Sequence, residues 1–181
     1  MSSNNEIWTI GHSTHPLPEF LEILFSFKIE ILVDVRRFPG SRKFPYFNKE
    51  NLQISLAENK IKYVHFEDLG GRRKVQADSK NTAWRLPSFQ AYADHMETEI
   101  FQDSVEQLQE LAINSRVAYM CSEAVWWSCH RSLISDYLKV RGWKVNHIMS
   151  INKEMEHPYT KPAKIVDGRL DYSKQDTKGE V

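Results

Sequence analysis

Short apolar segments alternate with longer segments of helical periodicity along most of this chain, and this alternation constrains the fold. Five apolar segments predict buried strands, at 7–10, 31–35, 62–66, 117–120 and about 144–148. The segments between them carry apolar residues three or four positions apart, as amphipathic helices do. Strands separated by helices predict an α/β fold: a mostly parallel five-stranded sheet with helices on both faces.

The helical segments are marked by start signals and by apolar stripes. Pro18, Asn48 and Ser88 are expected to begin three of the helices, and a further helix leads to the fourth strand. The residues predicted to face the core are Phe20, Leu21, Leu24, Phe25, Leu52, Leu56, Ala57, Phe89, Tyr92, Ala93, Met96, Phe101, Val105, Leu108 and Leu111. Residues 73–87 are polar and aperiodic and predict a long loop. An Asp-Gly pair at 167–168 predicts a small C-terminal β-hairpin.

Charge and cysteine content narrow the functional class. The 181 residues hold 24 Lys+Arg and 24 Asp+Glu, so any site for an anion must be local. One domain over 1–181, with its core at about 7–172, is expected at this length. No membrane-spanning segment or signal peptide is recognised, and two cysteines do not form a disulfide framework. We therefore expect a cytoplasmic protein without a membrane partner.

Polar residues follow four of the predicted strands. In open parallel sheets, ligands bind beyond the carboxyl ends of the strands. The residues at these ends are His12 and Ser13, Asp34 and Arg36, Gly70, Gly71 and Arg72, and Cys121 and Glu123. Their convergence on one edge predicts a binding site there.

The segment 120–131 carries both cysteines of the chain at a predicted strand–loop–helix junction. Cys121 stands where the fourth strand ends. With Ser128 as the helix N-cap, Cys129, His130 and Arg131 would occupy the first helical turn. The free N–H groups and the positive dipole of that turn favour a thiolate or a bound anion.

Three residues of this segment are predicted to be catalytic: Glu123 as a general acid or base, Cys129 as a nucleophile and His130 as a proton carrier. Glu123 and His130 each have a plainer alternative, and so does the nearby Cys121. Glu123 would otherwise pair with Arg131 or Arg36, and His130 would only hydrogen-bond the start of the helix. Cys121 would otherwise be a small buried hydrophobic residue.

Arginines at several strand ends, close to Gly70 and Gly71, predict a site for phosphate or carboxylate, because glycine admits a close ligand and guanidinium binds anions in a fork. Tryptophans in loops suggest a surface on which a base stacks. The residues predicted to bind substrate are His12, Ser13, Arg36, Arg42, Gly70, Gly71, Arg72, Trp84, Cys121, Trp126 and Arg131.

Two other kinds of site fit the sequence less well. A phosphatase or sulfurtransferase loop needs an arginine soon after its cysteine, but Trp126 and Trp127 stand five and six residues after Cys121. A metal site would recruit Cys121, Cys129 and His130, with Glu123 or His12. Zinc accepts such ligands, yet the spacing matches no known finger, and helical neighbours point about 100° apart. No metal and no cofactor are therefore expected.

Taken together, the motifs resemble the bacterial and archaeal domain of unknown function 488 family. They are Thr9-Ile10-Gly11-His12-Ser13, Asp34-Val35-Arg36 with Pro39 and Ser41-Arg42, Leu69-Gly70-Gly71-Arg72, Asn81 to Arg85, Cys121-Ser122-Glu123, Cys129-His130-Arg131, His147-Ile148 and Asp167 to Leu170. The resemblance extends from about Ile7 to Tyr172. It implies an α/β domain with a pocket built from these motifs, and it implies no particular reaction.

The leading hypothesis is an enzyme that acts on a phosphorylated, nucleotide-like substrate or on a nucleic-acid base. The alternatives are a non-catalytic module that binds nucleic acid or a nucleotide, and a small thiol-redox or metal-binding protein. The expected partner is a small anionic ligand. Balanced charge disfavours broad nucleic-acid binding but allows a local patch. Oligomeric state is not predicted.

Overall fold

The computed structural model describes residues 5–174 and contains five α-helices, three short 3₁₀ helices and eight strands over that range. The elements, in chain order, are β1 (Glu6–Gly11), α1 (Leu17–Ser26), β2 (Ile31–Asp34), α2 (Lys49–Glu58), β3 (Lys62–His65), α3 (Pro87–Met96), α4 (Glu99–Asn114), β4 (Val117–Cys121), α5 (Arg131–Val140), β5 (Lys144–Ser150), β6 (Lys153–Glu156), β7 (Lys164–Val166) and β8 (Arg169–Asp171). The 3₁₀ helices are Pro45–Phe47, Glu67–Leu69 and Trp126–Ser128.

The main sheet has the strand order β3-β2-β4-β1-β5-β6. The first five predicted strands are present and pair in parallel, which confirms the predicted fold class. The sixth strand, β6, was not predicted. It pairs antiparallel with β5 at the edge of the sheet, and all four of its residues are exposed. Its sequence, Lys-Glu-Met-Glu, lacks the apolar alternation by which a strand is recognised.

Helices cover both faces of the sheet, as predicted. On one face α1 and α2 pack against it through Phe20, Leu24, Leu52 and Leu56. On the other face the core includes residues of α3, α4 and α5, such as Tyr92, Val105, Leu108 and Leu133. Five predicted core residues are not fully buried: Phe25 and Ala57 are exposed, and Leu21, Phe89 and Leu111 are half-buried. In α1 the buried stripe runs instead through Ile23.

The predicted C-terminal hairpin is present as β7 and β8. Asp167 and Gly168 form its turn with φ values of 50° and 74°, which suits a two-residue connection. The next residue after β8, Tyr172, is buried and donates a hydrogen bond to Asp136 Oδ2 on α5 at 2.7 Å. This bond fastens the hairpin to the face of the sheet that α5 covers. No helix within residues 5–174 is long and apolar enough to cross a membrane.

Candidate active site at the carboxyl edge of the sheet

A cavity of about 660 Å³ lies where the parallel strands end. Segments that follow β1, β2 and β4 form much of its wall, together with the Gly71–Arg72 segment and the beginning of α3. We call it the strand-end cavity. Nine of the predicted site residues line it: His12, Ser13, Arg36, Gly71, Arg72, Cys121, Glu123, Cys129 and His130.

Five predicted binding residues do not line the strand-end cavity. Arg42 is exposed on the loop after β2. Gly70 is pressed against the backbone of Arg37, where a Cβ atom would approach Arg37 Cα to 2.6 Å, so its small size serves packing. Arg131 is buried beneath the cavity, with 1% of its surface exposed. The other two, Trp84 and Trp126, line a neighbouring cavity.

The two thiols and one imidazole form a cluster in the wall of the cavity. Cys121 is the last residue of β4, and Cys129 precedes α5; both are free and buried. His130 Nδ1 lies 3.7 Å from Cys129 Sγ and 4.0 Å from Cys121 Sγ. All three potential ligand atoms lie within 4.8 Å of one another. The three residues are near one another in the sequence, and the fold brings their reactive atoms into contact distance.

The expected local geometry of this cluster was wrong in one respect. α5 begins at Arg131, with His130 as its N-cap, and Cys129 has extended backbone, with φ −130° and ψ 147°. Of the three residues predicted in the first helical turn, only Arg131 lies there. Ser128 ends a 3₁₀ helix and is not the N-cap. The first N–H of α5, on Arg131, nevertheless donates to Cys129 Sγ at 3.5 Å. Cys129 therefore lies outside the helix, and its sulfur contacts the N-terminus of α5.

The tautomer of His130 follows from its neighbours. Its Nε2 lies 3.0 Å from the carbonyl oxygen of Val35, an acceptor, so Nε2 carries a proton and donates it. Nδ1 then faces the two sulfurs and can accept a proton from either thiol. The ring packs against Tyr92 at 5.0 Å between centroids, which holds its orientation.

Hydrogen bonds distinguish the two thiols. Cys129 donates to the Cys121 sulfur, and this bond, together with the adjacent His130 and a hydrogen bond from the Glu123 backbone, lowers the pKa of Cys121 well below its usual range, despite burial. Burial and the neighbouring Cys121 sulfur raise the pKa of Cys129. Of the two thiols, Cys121 therefore loses its proton more readily than Cys129.

Arg131 brings a positive charge beneath these thiols. Its Nη1 donates to Thr9 Oγ1 and its Nη2 to the carbonyl oxygen of Glu123, each at 2.8 Å. No carboxylate within residues 5–174 forms an ion pair with it. A buried guanidinium without a counter-charge is costly, so a thiolate or a bound anion close to it is favoured.

Gly11 allows the loop after β4 to approach β1. A Cβ atom at this position would lie 1.8 Å from the carbonyl oxygen of Glu123 and 3.0 Å from Arg131 Nη2. Real side chains never approach so closely, and the loop would have to move. Glycine is therefore required here to let Arg131 hold the Glu123 backbone.

Arg131 also ends a buried chain of hydrogen bonds that sequence reasoning did not find. Thr9 Oγ1 lies 2.8 Å from His147 Nδ1, His147 Nε2 lies 2.8 Å from His157 Nδ1, and His157 Nε2 lies 2.8 Å from Asp136 Oδ1. Burial lowers the pKa of His147 from 6.5 to about 2, so this ring is neutral. No local motif marks the chain, because its members come from β1, β5, α5 and a late loop.

Trp126 belongs to this buried framework. Its ring stacks on His147 at 4.5 Å with only 2° between the ring planes, and the residue is 8% exposed. Trp126 was predicted to stack on a substrate, but His147 already covers one face of its ring. The adjacent Trp127, another of the loop tryptophans suggested as a stacking surface, is 54% exposed.

Arg36 lines the cavity but is already paired. Its Nε and Nη2 donate to the two carboxylate oxygens of Asp34, at 2.9 and 2.7 Å. Its Nη1 lies 3.3 Å from His12 Nε2, while His12 Nδ1 lies 2.9 Å from the carbonyl oxygen of Ser13. Burial lowers the pKa of His12, so this ring is a neutral acceptor for Arg36. The pair shapes the cavity wall and adds little net charge.

The cations that remain open to the cavity are at its rim. Arg37 donates from Nη1 to the carbonyl oxygen of Arg72 at 2.7 Å, and both guanidinium groups lie beside Phe38, 5.4 and 5.9 Å from the ring centre. Phe38 is 61% exposed. Neither Arg37 nor Phe38 was among the predicted site residues. Their position directly after Arg36 could have indicated that they also lie at the site.

Glu123 lies at the rim with an exposed side chain. The alternative that its carboxylate pairs with Arg131 or Arg36 is not realised, because Arg131 binds its backbone oxygen and Arg36 binds Asp34. The carboxylate is thus exposed near the cavity mouth and forms no ion pair within residues 5–174.

The fold and the site define an α/β protein with a thiol–imidazole cluster at the carboxyl edge of a mainly parallel sheet. The chain belongs to the family described as Domain of unknown function DUF488, whose model matches residues 16–138. This match confirms the resemblance and includes Arg36, Cys121, Cys129 and His130, whereas the β1 motif and the hairpin lie outside it. The chain has no significant match among curated proteins or solved structures.

Proposed function

We propose that this protein is an enzyme in which the Cys121 thiolate acts as a nucleophile on a phosphorylated, nucleotide-like ligand bound in the strand-end cavity. One observation carries the proposal. Cys121 has a lowered pKa, and the imidazole of His130 lies 4.0 Å from its sulfur in the wall of an accessible cavity. Paired thiol and imidazole groups are a recurring arrangement for covalent catalysis.

The contacts of His130 suggest how Cys121 and His130 would act in turn. The proton of the Cys121 thiol passes to His130 Nδ1, and the thiolate forms a bond to the electrophilic centre of the ligand. The bond to the leaving group breaks at the same centre, and the leaving group takes the proton from His130. Water then cleaves the covalent adduct and restores the thiol. The 4.0 Å separation would shorten in the complex, as catalytic contacts often do.

The rim supports binding of a phosphorylated aromatic ligand. Arg37 and Arg72 provide guanidinium groups for phosphate oxygens, and Phe38 provides an exposed ring face for a base. In this scheme Cys121 takes the nucleophilic role that the sequence analysis assigned to Cys129. His130 keeps its predicted role, and Glu123 would exchange protons between His130 and solvent.

The test is the rate of alkylation of each cysteine by iodoacetamide as a function of pH, measured by peptide mass spectrometry. Cys121 should react with an apparent pKa below about 8.5, the value for a free thiol. AMP should slow the reaction. Cys129→Ser keeps a donor beside Cys121 and should preserve part of the shift, whereas Cys129→Ala should lose more of it. Equal, slow alkylation of both wild-type cysteines at neutral pH would refute the proposal.

Turnover separates an enzyme from a binding module. Nucleotides that protect Cys121 should be converted to products by the wild type and not by Cys121→Ser, with products followed by liquid chromatography. Glu123→Gln should reduce turnover and leave binding intact. Protection of Cys121 without any conversion across the nucleotides that protect it would instead favour a non-catalytic nucleotide-binding module.

A metal centre is the second candidate, supported by the compact Cys121, Cys129 and His130 set. Helical spacing does not separate these ligand atoms, because Cys129 is extended and precedes the helix. His130 also has the arrangement that metal-binding histidines use, with Nε2 donating to a backbone carbonyl and Nδ1 free. Two thiolates and one imidazole suit zinc, with a fourth position open to the cavity.

Elemental analysis decides between the two candidates. Protein purified without chelators should contain zinc in a one-to-one ratio if the three residues form a metal centre, and Cys129→Ser should lose it. Metal-free protein that retains fast alkylation of Cys121 would favour the nucleophile. Stoichiometric zinc, with Cys121 protected until the metal is removed, would favour the metal centre.

A further inference from the structure

We infer that a second cavity, beside the strand-end cavity, binds a single strand of nucleic acid whose neighbouring nucleotide reaches Cys121. The second cavity has a volume of about 1180 Å³ and lies between the end of the 73–87 loop, the Trp126–Ser128 helix and the segment before the hairpin. We call it the tryptophan groove. This inference adds a substrate class to the proposed function. It rests on that function in one respect only, which is that Cys121 is the reacting group.

The groove combines aromatic and cationic side chains. Its aromatic residues are Trp84, Phe89, Trp126, Trp127 and Tyr159, and its charged residues are Arg85, Lys161, Lys164 and Lys174. None of the lining residues is acidic. None of the four cations forms an ion pair within the part of the chain that the structure describes. Because the whole chain has balanced charge, this concentration is local.

The exposed apolar surface points to an aromatic ligand. Trp127 is 54% exposed, Leu86 57% and Tyr159 37%. Trp127 contacts Trp126 at 5.5 Å with 89° between the rings, and about half of its surface remains open to solvent. Exposed aromatic faces beside cations are the usual means by which proteins hold unpaired bases and phosphates. A protein partner is less suited, since lysine is depleted in such interfaces.

The two cavities are adjacent. Phe89 lines both of them. The short helix between them also connects them, because Trp126 and Trp127 line the groove and Ser128 lines the strand-end cavity. The groove alone exceeds the usual size of a small-molecule site, about 300–1,000 Å³. A strand of several nucleotides would occupy both cavities, whereas a mononucleotide would fill only one.

The experiment is fluorescence anisotropy with labelled ten-nucleotide single strands of oligothymidine and oligouridine, compared with a duplex of the same length. A single strand should bind more tightly than the duplex. Trp127→Ala should weaken binding by about tenfold, since stacking on one aromatic residue carries affinity of this order.

The salt dependence tests the cations. For the double variant Lys161→Ala/Lys164→Ala, the slope of log affinity against log salt should fall by about 0.7 for each lysine that contacts a phosphate. Lys62→Ala, at the opposite edge of the sheet, is the matched control and should leave the slope unchanged. Binding that is insensitive to Trp127→Ala and to the lysine variant would overturn the inference.

Failure of this inference can be told apart from failure of the proposed function. If AMP protects Cys121 from alkylation but no single strand binds, the tryptophan groove is not a nucleic-acid site and the nucleophile remains supported. If single strands bind through Trp127 while Cys121 is alkylated no faster than an ordinary thiol, the groove is supported and the thiolate chemistry is refuted.

Discussion

The buried histidine chain makes a quantitative prediction about stability and pH. Burial lowers the pKa of His147 from 6.5 to about 2, and the ring is 1% exposed between Thr9 and His157. Between these two pKa values the unfolded chain binds a proton that the folded protein excludes. Stability supplied by the neutral ring is therefore complete above pH 6.5 and decreases as the pH falls below it.

The magnitude follows from the shift. A proton bound only by the unfolded state costs about 1.4 kcal/mol for each pH unit below 6.5. From pH 7 to pH 5, His147 alone should lower the free energy of unfolding by about 2 kcal/mol. His12 and His95 also have pKa values lowered by burial, so the wild-type protein should lose more than this.

Urea denaturation at pH 7, 6 and 5, followed by tryptophan fluorescence, measures the effect. His147→Gln should be less stable at pH 7, because it disturbs the bonds to Thr9 and His157, yet its loss between pH 7 and pH 5 should be about 2 kcal/mol smaller than that of the wild type. His15→Gln is the control, since His15 pairs with Glu19 on the surface. Equal pH dependence in the wild type and His147→Gln would refute the reasoning.

Two further predictions concern the residues that shape the strand-end cavity. Gly11→Ala should destabilise the protein markedly in denaturation experiments, because the new Cβ atom would lie 1.8 Å from the carbonyl oxygen of Glu123, whereas Gly40→Ala has nothing within 4 Å and should be tolerated. Asp34→Asn should cost about 3–5 kcal/mol in free energy of unfolding, because it leaves the buried guanidinium of Arg36 without its counter-charge. An unfolding midpoint within error of the wild type would contradict either one.

Much of the fold could be read from local patterns. Strands β1, β2 and β4 are short apolar runs, and their burial on both faces is what makes them recognisable. The Asp167-Gly168 turn was recognisable because few residues adopt the backbone conformation that it needs. β6 could not be found in this way, since it is charged and exposed and is held by backbone pairing with β5.

The candidate site was predictable only as a set of strand ends. Parallel strands place their carboxyl ends on one edge of the sheet. From this rule alone, Cys121, Gly71 and Arg36 were predicted to lie close together, and all three line the strand-end cavity. Which arginine carries usable charge was not predictable. Arg36 is neutralised by Asp34, Arg131 is buried, and Arg37 remains at the rim, because these outcomes depend on which partners the fold places opposite each guanidinium.

The sequence by itself determined the alternation of strands and helices, the hairpin, and the edge of the sheet at which the cysteines lie, because these features follow from hydrophobic period and turn chemistry between near neighbours. Only the tertiary structure decided that the pKa of Cys121 is lowered while that of Cys129 is raised, that Trp126 stacks on His147, and that Thr9, His147, His157 and Asp136 form one chain. Those properties arise from burial and from contacts between residues up to 138 positions apart, which no local pattern records.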